Sequence, residues 1–167
     1  MKNLFVAFVF LVGLSSCSTS TIYIVRHADR LDKSEDSPLS TVGFARAQAL
    51  KDSLQFKRID SVFVTQYRRT RQTADPLMSA KNLNAVVYPP HPTTVIVNRL
   101  QRLKGKNALV VGHSDTILEI AKGLGTTPTK TKIESTDYDN LLIVTLKRGL
   151  FINSKTLQEK RFGVETN

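Results

Sequence analysis

Only three histidines occur in this 167-residue chain, and two of them, His27 and His113, directly follow short apolar runs. Arg26 precedes the first histidine, Ser114 follows the second, and Thr65, Gln66, Arg68 and Arg69 follow a third run. Arginine forks match phosphoryl oxygens two at a time, and a helix start offers backbone N–H groups to the same anion. An imidazole set among cations is held neutral, which leaves a nitrogen lone pair free to attack phosphorus. Such a set describes phosphoryl transfer without a metal. One histidine attacks, while the other histidine and the arginines hold the oxygens. Each residue also has a plainer explanation, since strand-end histidines are often merely hydrogen-bonded and arginines beside helix starts are commonly solvated. Convergence on one sheet edge favours the chemical reading. Arg68 and His91, the latter between prolines, are read as surface residues. No Cys/His cluster has structural-zinc spacing and no carboxylate pair suits magnesium, so no metal or cofactor is expected.

The elements that must position these groups are legible in the hydrophobic pattern. Thr21-Ile22-Tyr23-Ile24-Val25, Ser61-Val62-Phe63-Val64, Ala85-Val86-Val87-Tyr88 and Ala108-Leu109-Val110-Val111 read as short buried strands. Ser40 caps a helix running to about residue 55, with Val42, Ala45, Ala49 and Leu50 on its buried side and Leu54 below. Further helices are expected over 69–80 and 94–103. A fourth carries the stripe Ile117, Leu118, Ala121 and Leu124, and stops at Gly123 or Gly125. Leu141 to Leu146 is the longest strand signal. A tight turn at Lys147-Arg148-Gly149 leads to a weaker strand at Leu150-Phe151-Ile152, and residues 157–162 add an edge strand. Strands alternating with helices imply a three-layer α/β/α sandwich around a mostly parallel, mixed sheet. Ligands in such sheets bind beyond the carboxyl ends of the strands, where the histidines and arginines stand.

The N-terminus reads as a targeting segment. Lys2 precedes an apolar run from Leu4 to Leu14, too short to cross a bilayer of ~30 Å as a helix. Leu14-Ser15-Ser16-Cys17 resembles the lipobox of bacterial lipoproteins. The resemblance implies a signal peptide at 1–16, lipidation of the single cysteine, Cys17, and a short tether at 17–20. A domain over 21–163 and a tail at 164–167 complete the division. The expected location is the bacterial cell envelope, lipid-anchored and either periplasmic or surface-exposed. One domain of roughly 150 residues buries enough surface for a single core, and a monomer is expected. The formal charge of +10 attracts anions. The cations are scattered rather than aligned and lack interleaved aromatics, so no nucleic-acid partner is expected.

Four segments together resemble the histidine phosphatase superfamily, which includes the phosphoglycerate mutases. Val25-Arg26-His27-Ala28 is similar to its Arg-His-Gly signature, with alanine in place of the usual glycine. Leu39-Ser40-Thr41-Val42-Gly43 is similar to its Leu-Thr-x-x-Gly helix start. Thr65 to Ala74 resembles its Ser-Pro-x-x-Arg-x-x-Gln-Thr-Ala segment, which puts the family arginine at Arg69. Val111-Gly112-His113-Ser114 resembles the second-histidine motif. The resemblance implies a phosphoglycerate mutase-like fold and a phosphoric monoester hydrolase akin to histidine acid phosphatases. His27 would carry the phosphoryl group, and Arg26, Arg69 and His113 would clamp it. Ser114 would bond phosphate or cap the next helix, while Gln72 and Thr73 orient Arg69.

Mutase-like members take their general acid from the segment after the third strand, but residues 88–98 contain no acidic side chain. The remaining candidates are Asp29 and Asp115. Asp29 is preferred because its loop leaves the strand edge beside His27; a site without an acid is the third option. The chain also lacks the long insertion that covers mutase pockets. An open site suits a phosphorylated small molecule or a phosphopeptide. Short SixA-type phosphohistidine phosphatases are the nearest look-alikes, although export argues against a phosphorelay substrate. The expected activity is therefore a metal-independent phosphomonoesterase. The alternatives are a phosphate- or phosphoprotein-binding module with little turnover, and a phosphohistidine phosphatase.

Overall fold

The apolar runs pair into one six-stranded sheet in the computed structural model, which describes residues 17–150 and 153–166. The strands are β1 (Ser18–Arg26), β2 (Ser61–Val64), β3 (Ala85–Val87), β4 (Ala108–Gly112), β5 (Asn140–Arg148) and β6 (Asn153–Arg161). Their order across the sheet is β3-β2-β4-β1-β5-β6. The first four are mutually parallel, and β5 and β6 pair antiparallel. Alternate residues of each central strand face opposite sides. Ile22, Ile24, Phe63 and Val110 pack under α3 (Thr94–Gln101) and α4 (Ile117–Gly123). Tyr23, Val25, Val64 and Val111 pack under α1 (Thr41–Leu54) and α2 (Arg68–Lys81). The expected three-layer α/β/α sandwich with a mixed sheet is present.

Three local expectations are corrected. Residues 18–20 do not form a tether: β1 begins at Ser18, and Ser18, Thr19 and Ser20 pair with Arg148, Lys147 and Leu146. Ser20 is buried and its hydroxyl donates to the Leu103 carbonyl at 2.7 Å, which is how a polar residue enters a packed strand. The terminal hairpin also differs. Lys147 and Arg148 belong to β5, and one nine-residue β6 replaces the two weak strands. Leu150 lies outside both strands, while Phe151 and Ile152 lie outside the described residues, as do residues 1–16, the segment expected to be a signal peptide. Residues 164–166 are tied down, with Arg46 donating to the Val164 carbonyl at 2.7 Å and the Thr166 N–H to Asp139 at 3.0 Å.

Helix α1 presents a different face from the expected one. Ser40 caps it as anticipated, accepting from the Gly43 N–H at 3.0 Å. The buried residues are Gly43, Arg46, Ala47, Leu50 and Leu54, whereas Val42 and Ala45 are exposed and Ala49 is half-buried. Two contacts turn the helix. The Arg46 guanidinium is drawn inward by Asp29 at 2.6 Å, and the glycine at 43 lets the backbone approach the Asp29 carbonyl. A Cβ at position 43 would sit 2.1 Å from that oxygen. We therefore expect Gly43→Ala to lower stability by about 1–3 kcal/mol through overpacking, measured as a urea midpoint. Val42→Ala should stay within about 0.5 kcal/mol of the parent, and equal losses in the two variants would refute this helix face.

Candidate active site

The carboxyl ends of β1 and β4 place the two histidines side by side. Arg26 is in register with Gly112, and the His27 N–H continues the ladder to the Gly112 carbonyl at 2.9 Å. The next residue on each strand is therefore a histidine, and the two rings lie edge to face with centroids 5.4 Å apart. Gly112 is required there, because a Cβ would stand 2.9 Å from the Thr116 hydroxyl and 3.2 Å from that of Tyr88. Arg69, at the start of α2, approaches from the β2 side. Its position is set by Thr73, whose hydroxyl donates to the Arg69 carbonyl at 2.7 Å and accepts from the Ala28 N–H at 2.8 Å. Gln72 joins the same framework, accepting from the Leu39 N–H at 2.8 Å. The orienting roles expected of Thr73 and Gln72 match these contacts.

His27 is held in one tautomer. Its Nδ1 lies 2.8 Å from the Ala28 carbonyl, an acceptor only, so Nδ1 carries the proton and Nε2 the lone pair. Burial lowers its pKa to about 2, with the charges of Arg26, His113 and Arg69 adding to the effect against the opposing Ala28 hydrogen bond. Burial likewise lowers that of His113 to about 4, helped chiefly by Arg69. The His113 Nε2 is 3.0 Å from the Thr65 hydroxyl, which in turn contacts the Thr70 hydroxyl at 3.1 Å. Both imidazoles are thus neutral at any physiological pH.

Arg26 and Arg69 are buried, and neither has a carboxylate partner among the described residues. Arg26 donates to the carbonyls of Glu134 and Asp137 at 2.8 and 3.0 Å, and Arg69 to the Glu35 carbonyl at 2.6 Å. Each guanidinium is covered by a tyrosine ring, Tyr138 over Arg26 at 4.0 Å and Tyr67 over Arg69 at 4.3 Å. Burial lowers the pKa of both arginines. The Nε atoms of both are buried with no hydrogen-bond partner among the described residues. Unsatisfied charged donors are costly in a folded protein, and an anion bound between them would remove that cost.

These groups line a cavity of about 480 Å³ that also includes Arg30, Tyr67, Pro90, His91, Ser114, Asp115 and Ser135. Of the residues singled out from sequence, Arg26, His27, Arg69, His113 and Ser114 converge here. Ser114 does not cap α4, whose N-cap is Thr116. Asp29 does not reach the cavity. Its carboxylate is committed to Arg46 at 2.6 Å, and its carbonyl accepts from the Ser40 N–H at 2.9 Å. Asp115 does stand on the wall, 3.1 Å from the Nε2 of His91, which is exposed as expected and also lines the cavity. Arg68 is exposed as expected, but its N–H, at the α2 start, is taken by Asp36 at 2.7 Å rather than left to an anion. His91 follows β3, and the strand-end rule applied to that strand would have found it. Tyr138, in the polar loop before β5, carries no sequence signal of its own.

Residues 22–89 match the family model of the histidine phosphatase superfamily (branch 1). The fold is a histidine phosphatase fold. Among solved structures, the tungstate complex of the protein histidine phosphatase SixA has a TM-score of 0.68 at 24% identity, covering 84% of this chain and 96% of that one. The alpha-ribazole phosphatase from Shigella flexneri has a TM-score of 0.62 at 16% identity, covering 87% and 99%. The mycobacterial glucosyl-3-phosphoglycerate phosphatase Rv2419c has 0.61 at 12%, covering 77% and 91%. No curated protein matches. The chain is thus similar to short, SixA-like histidine phosphatases across nearly the whole of their length.

Holding two histidines neutral has a consequence for stability. The unfolded chain protonates both near pH 6.5, while the fold protonates neither until the pH falls to about 4 for His113 and about 2 for His27. The unfolded state then binds more protons, so stability drops as pH falls below about 6.5, by roughly 2 kcal/mol per histidine at about pH 5. Urea midpoints at pH 7.5 and 5 should differ accordingly, and His113→Asn should lessen the difference. An unchanged pH dependence in that variant would contradict the neutral state assigned to His113.

Proposed function

We propose that the chain is a phosphomonoesterase acting through a phosphohistidine on His27, with guanidinium groups rather than a metal supplying positive charge. One observation supports this reading above the others. Two buried, unpartnered Nε donors, on Arg26 and Arg69, flank a neutral histidine whose lone pair is at Nε2. In the first step Nε2 attacks phosphorus, an N–P bond forms, and the P–O bond to the alcohol breaks. Arg26, Arg69 and His113 hold the non-bridging oxygens, where charge gathers in the transition state. The alcohol oxygen takes a proton from the Asp115–His91 pair. Water then attacks the phosphohistidine and returns a proton to that pair. The N–P bond breaks, and orthophosphate and neutral His27 are restored.

Only residues 88–93 link β3 to α3, and this short crossover contributes Pro90 and His91 to the cavity wall. An open mouth bearing Arg30 and Ser135 suits a phosphopeptide or a range of small monoesters. A phosphohistidine substrate is the second reading, favoured by the likeness to the SixA fold. Anchoring belongs to the same proposal. Cys17 is exposed and immediately precedes β1, which supports its use as a lipid attachment point in the cell envelope. Cys17→Ser should then abolish salt-resistant retention of the chain in the membrane fraction.

Phosphate release from para-nitrophenyl phosphate should persist in EDTA and disappear in His27→Ala. No release above that variant at any pH would leave a phosphate-binding module as the reading to keep. Asp115→Asn should slow hydrolysis of an alkyl phosphate by about 10²–10⁴-fold, the usual range for a general acid. It should change para-nitrophenyl phosphate or phosphohistidine hydrolysis far less, because those leaving groups need little protonation. An equal loss on all three substrates would remove Asp115 from the proton-transfer step.

A further inference from the structure

The end of the domain where β1 begins carries a surface that the proposed chemistry does not use. The α1–β2, α3–β4 and β5–β6 connections meet there, joined by hydrogen bonds from Thr21 N–H to Asn107, Asp60 N–H to the Asn107 carbonyl and Arg148 to the Leu103 carbonyl. The exposed cations there include Lys57, Arg58, Arg102, Lys104 and Lys106 of these connections and Lys147 near the end of β5. The carboxylates nearby are already engaged, Asp60 with Arg58 at 3.0 Å and Asp52 with Lys51 at 3.1 Å. Two large apolar side chains project from the same loops: Phe56, 91% exposed beside Lys57 and Arg58, and Leu150, 67% exposed, just after Arg148. Acidic residues gather at the opposite end instead, among them Asp32, Glu35, Asp36, Asp115, Glu134 and Asp137.

We infer that this end docks on an anionic lipid bilayer, with Phe56 and Leu150 entering the headgroup boundary and the surrounding lysines and arginines lying over the lipid phosphates. Charge complementarity is the first argument, since clusters of ~4–8 Lys/Arg with apolar neighbours suit anionic membranes. The second is independent of it. The apolar segment that precedes the described chain joins at Cys17, and Cys17 lies at this same end. With no tether between Cys17 and β1, anything that holds the N-terminus at a membrane brings this face against it. The nine residues of β1 then carry Arg26 and His27 roughly 30 Å away, at ~3.3 Å per residue. The cavity faces away from the bilayer, toward soluble or protein-borne phosphate esters and not lipid headgroups.

The chain contains no tryptophan, so a single introduced one reports its own surroundings. Full-length Phe56→Trp should show blue-shifted emission and several-fold quenching on vesicles of phosphatidylglycerol with brominated acyl chains. On vesicles of brominated phosphatidylcholine the quenching should be much weaker. Leu31→Trp, at the cavity end, should remain unquenched on both. Lys104→Glu with Lys147→Glu should cut the Phe56→Trp signal several-fold without altering phosphatase activity, and high salt should do the same. Quenching of Leu31→Trp in place of Phe56→Trp, equal quenching on the two lipids, or no association with anionic vesicles at low salt would each overturn the inference. Failure of lipid attachment reads out separately, as loss of salt-resistant membrane retention, and failure of the phosphatase reading as absent phosphate release.

Discussion

The hydrogen bond from the His27 N–H to the Gly112 carbonyl is the constraint on which the site depends. It is the last rung of the parallel β1–β4 ladder, and it fixes which residues leave the sheet together. A slip of one residue along that ladder would reverse the faces of β1 and carry Val25, not Arg26, to the Gly112 position. The register is well defended. Ile22, Ile24, Val110 and Leu109 are all fully buried, and each has helices covering its face. The apolar core that makes the protein stable is thus also what sets one histidine beside the other.

That geometry places positive charge on side chains largely withdrawn from solvent. Arg26, Arg69 and the two imidazoles share one small region, and neither guanidinium forms an ion pair among the described residues. Backbone carbonyls and the faces of Tyr138 and Tyr67 provide partial compensation. These partners share a property: none carries a negative charge that would compete with an incoming phosphate. A carboxylate in their place would stabilise the free protein further and raise the histidine pKa values. The site is preorganised for an anion because its resident cations are held by neutral groups.

Much of this was legible from residue order. Arg26, His27, Arg69 and His113 stand at the ends of strands whose apolar runs are unmistakable, and the strand-end rule then places them together. What could not be read depended on partners distant in the chain. The face of α1 is not legible from residue type, because Val42 and Ala45 are apolar yet exposed. A buried Arg46 is invisible until Asp29 and the Val164 carbonyl are known to meet it. The same pair removes Asp29 from the cavity. The β1 start was misplaced because Ser18, Thr19 and Ser20 look like tether, and only the length of β5 shows that they have ladder partners. His91 and Asp115 are 24 positions apart and meet only because β3 and β4 end at one edge.

In the proposed mechanism the proton donor is Asp115 and not Asp29, and that difference bears on selectivity. Asp29 is covered by a buried arginine and hydrogen-bonded through its backbone to the cap of α1, so it braces the loop that follows His27. Asp115 projects from the opposite wall, with its side chain 62% exposed, and touches a histidine from a separate element. A proton donor on an exposed wall protonates what projects out of the cavity and makes little demand on its shape. A donor buried beside His27 would restrict the alcohol to whatever fitted next to it. On the proposed reading, an exposed donor and a short β3–α3 link favour the same selectivity, in which the phosphoryl group is gripped tightly and the leaving group loosely.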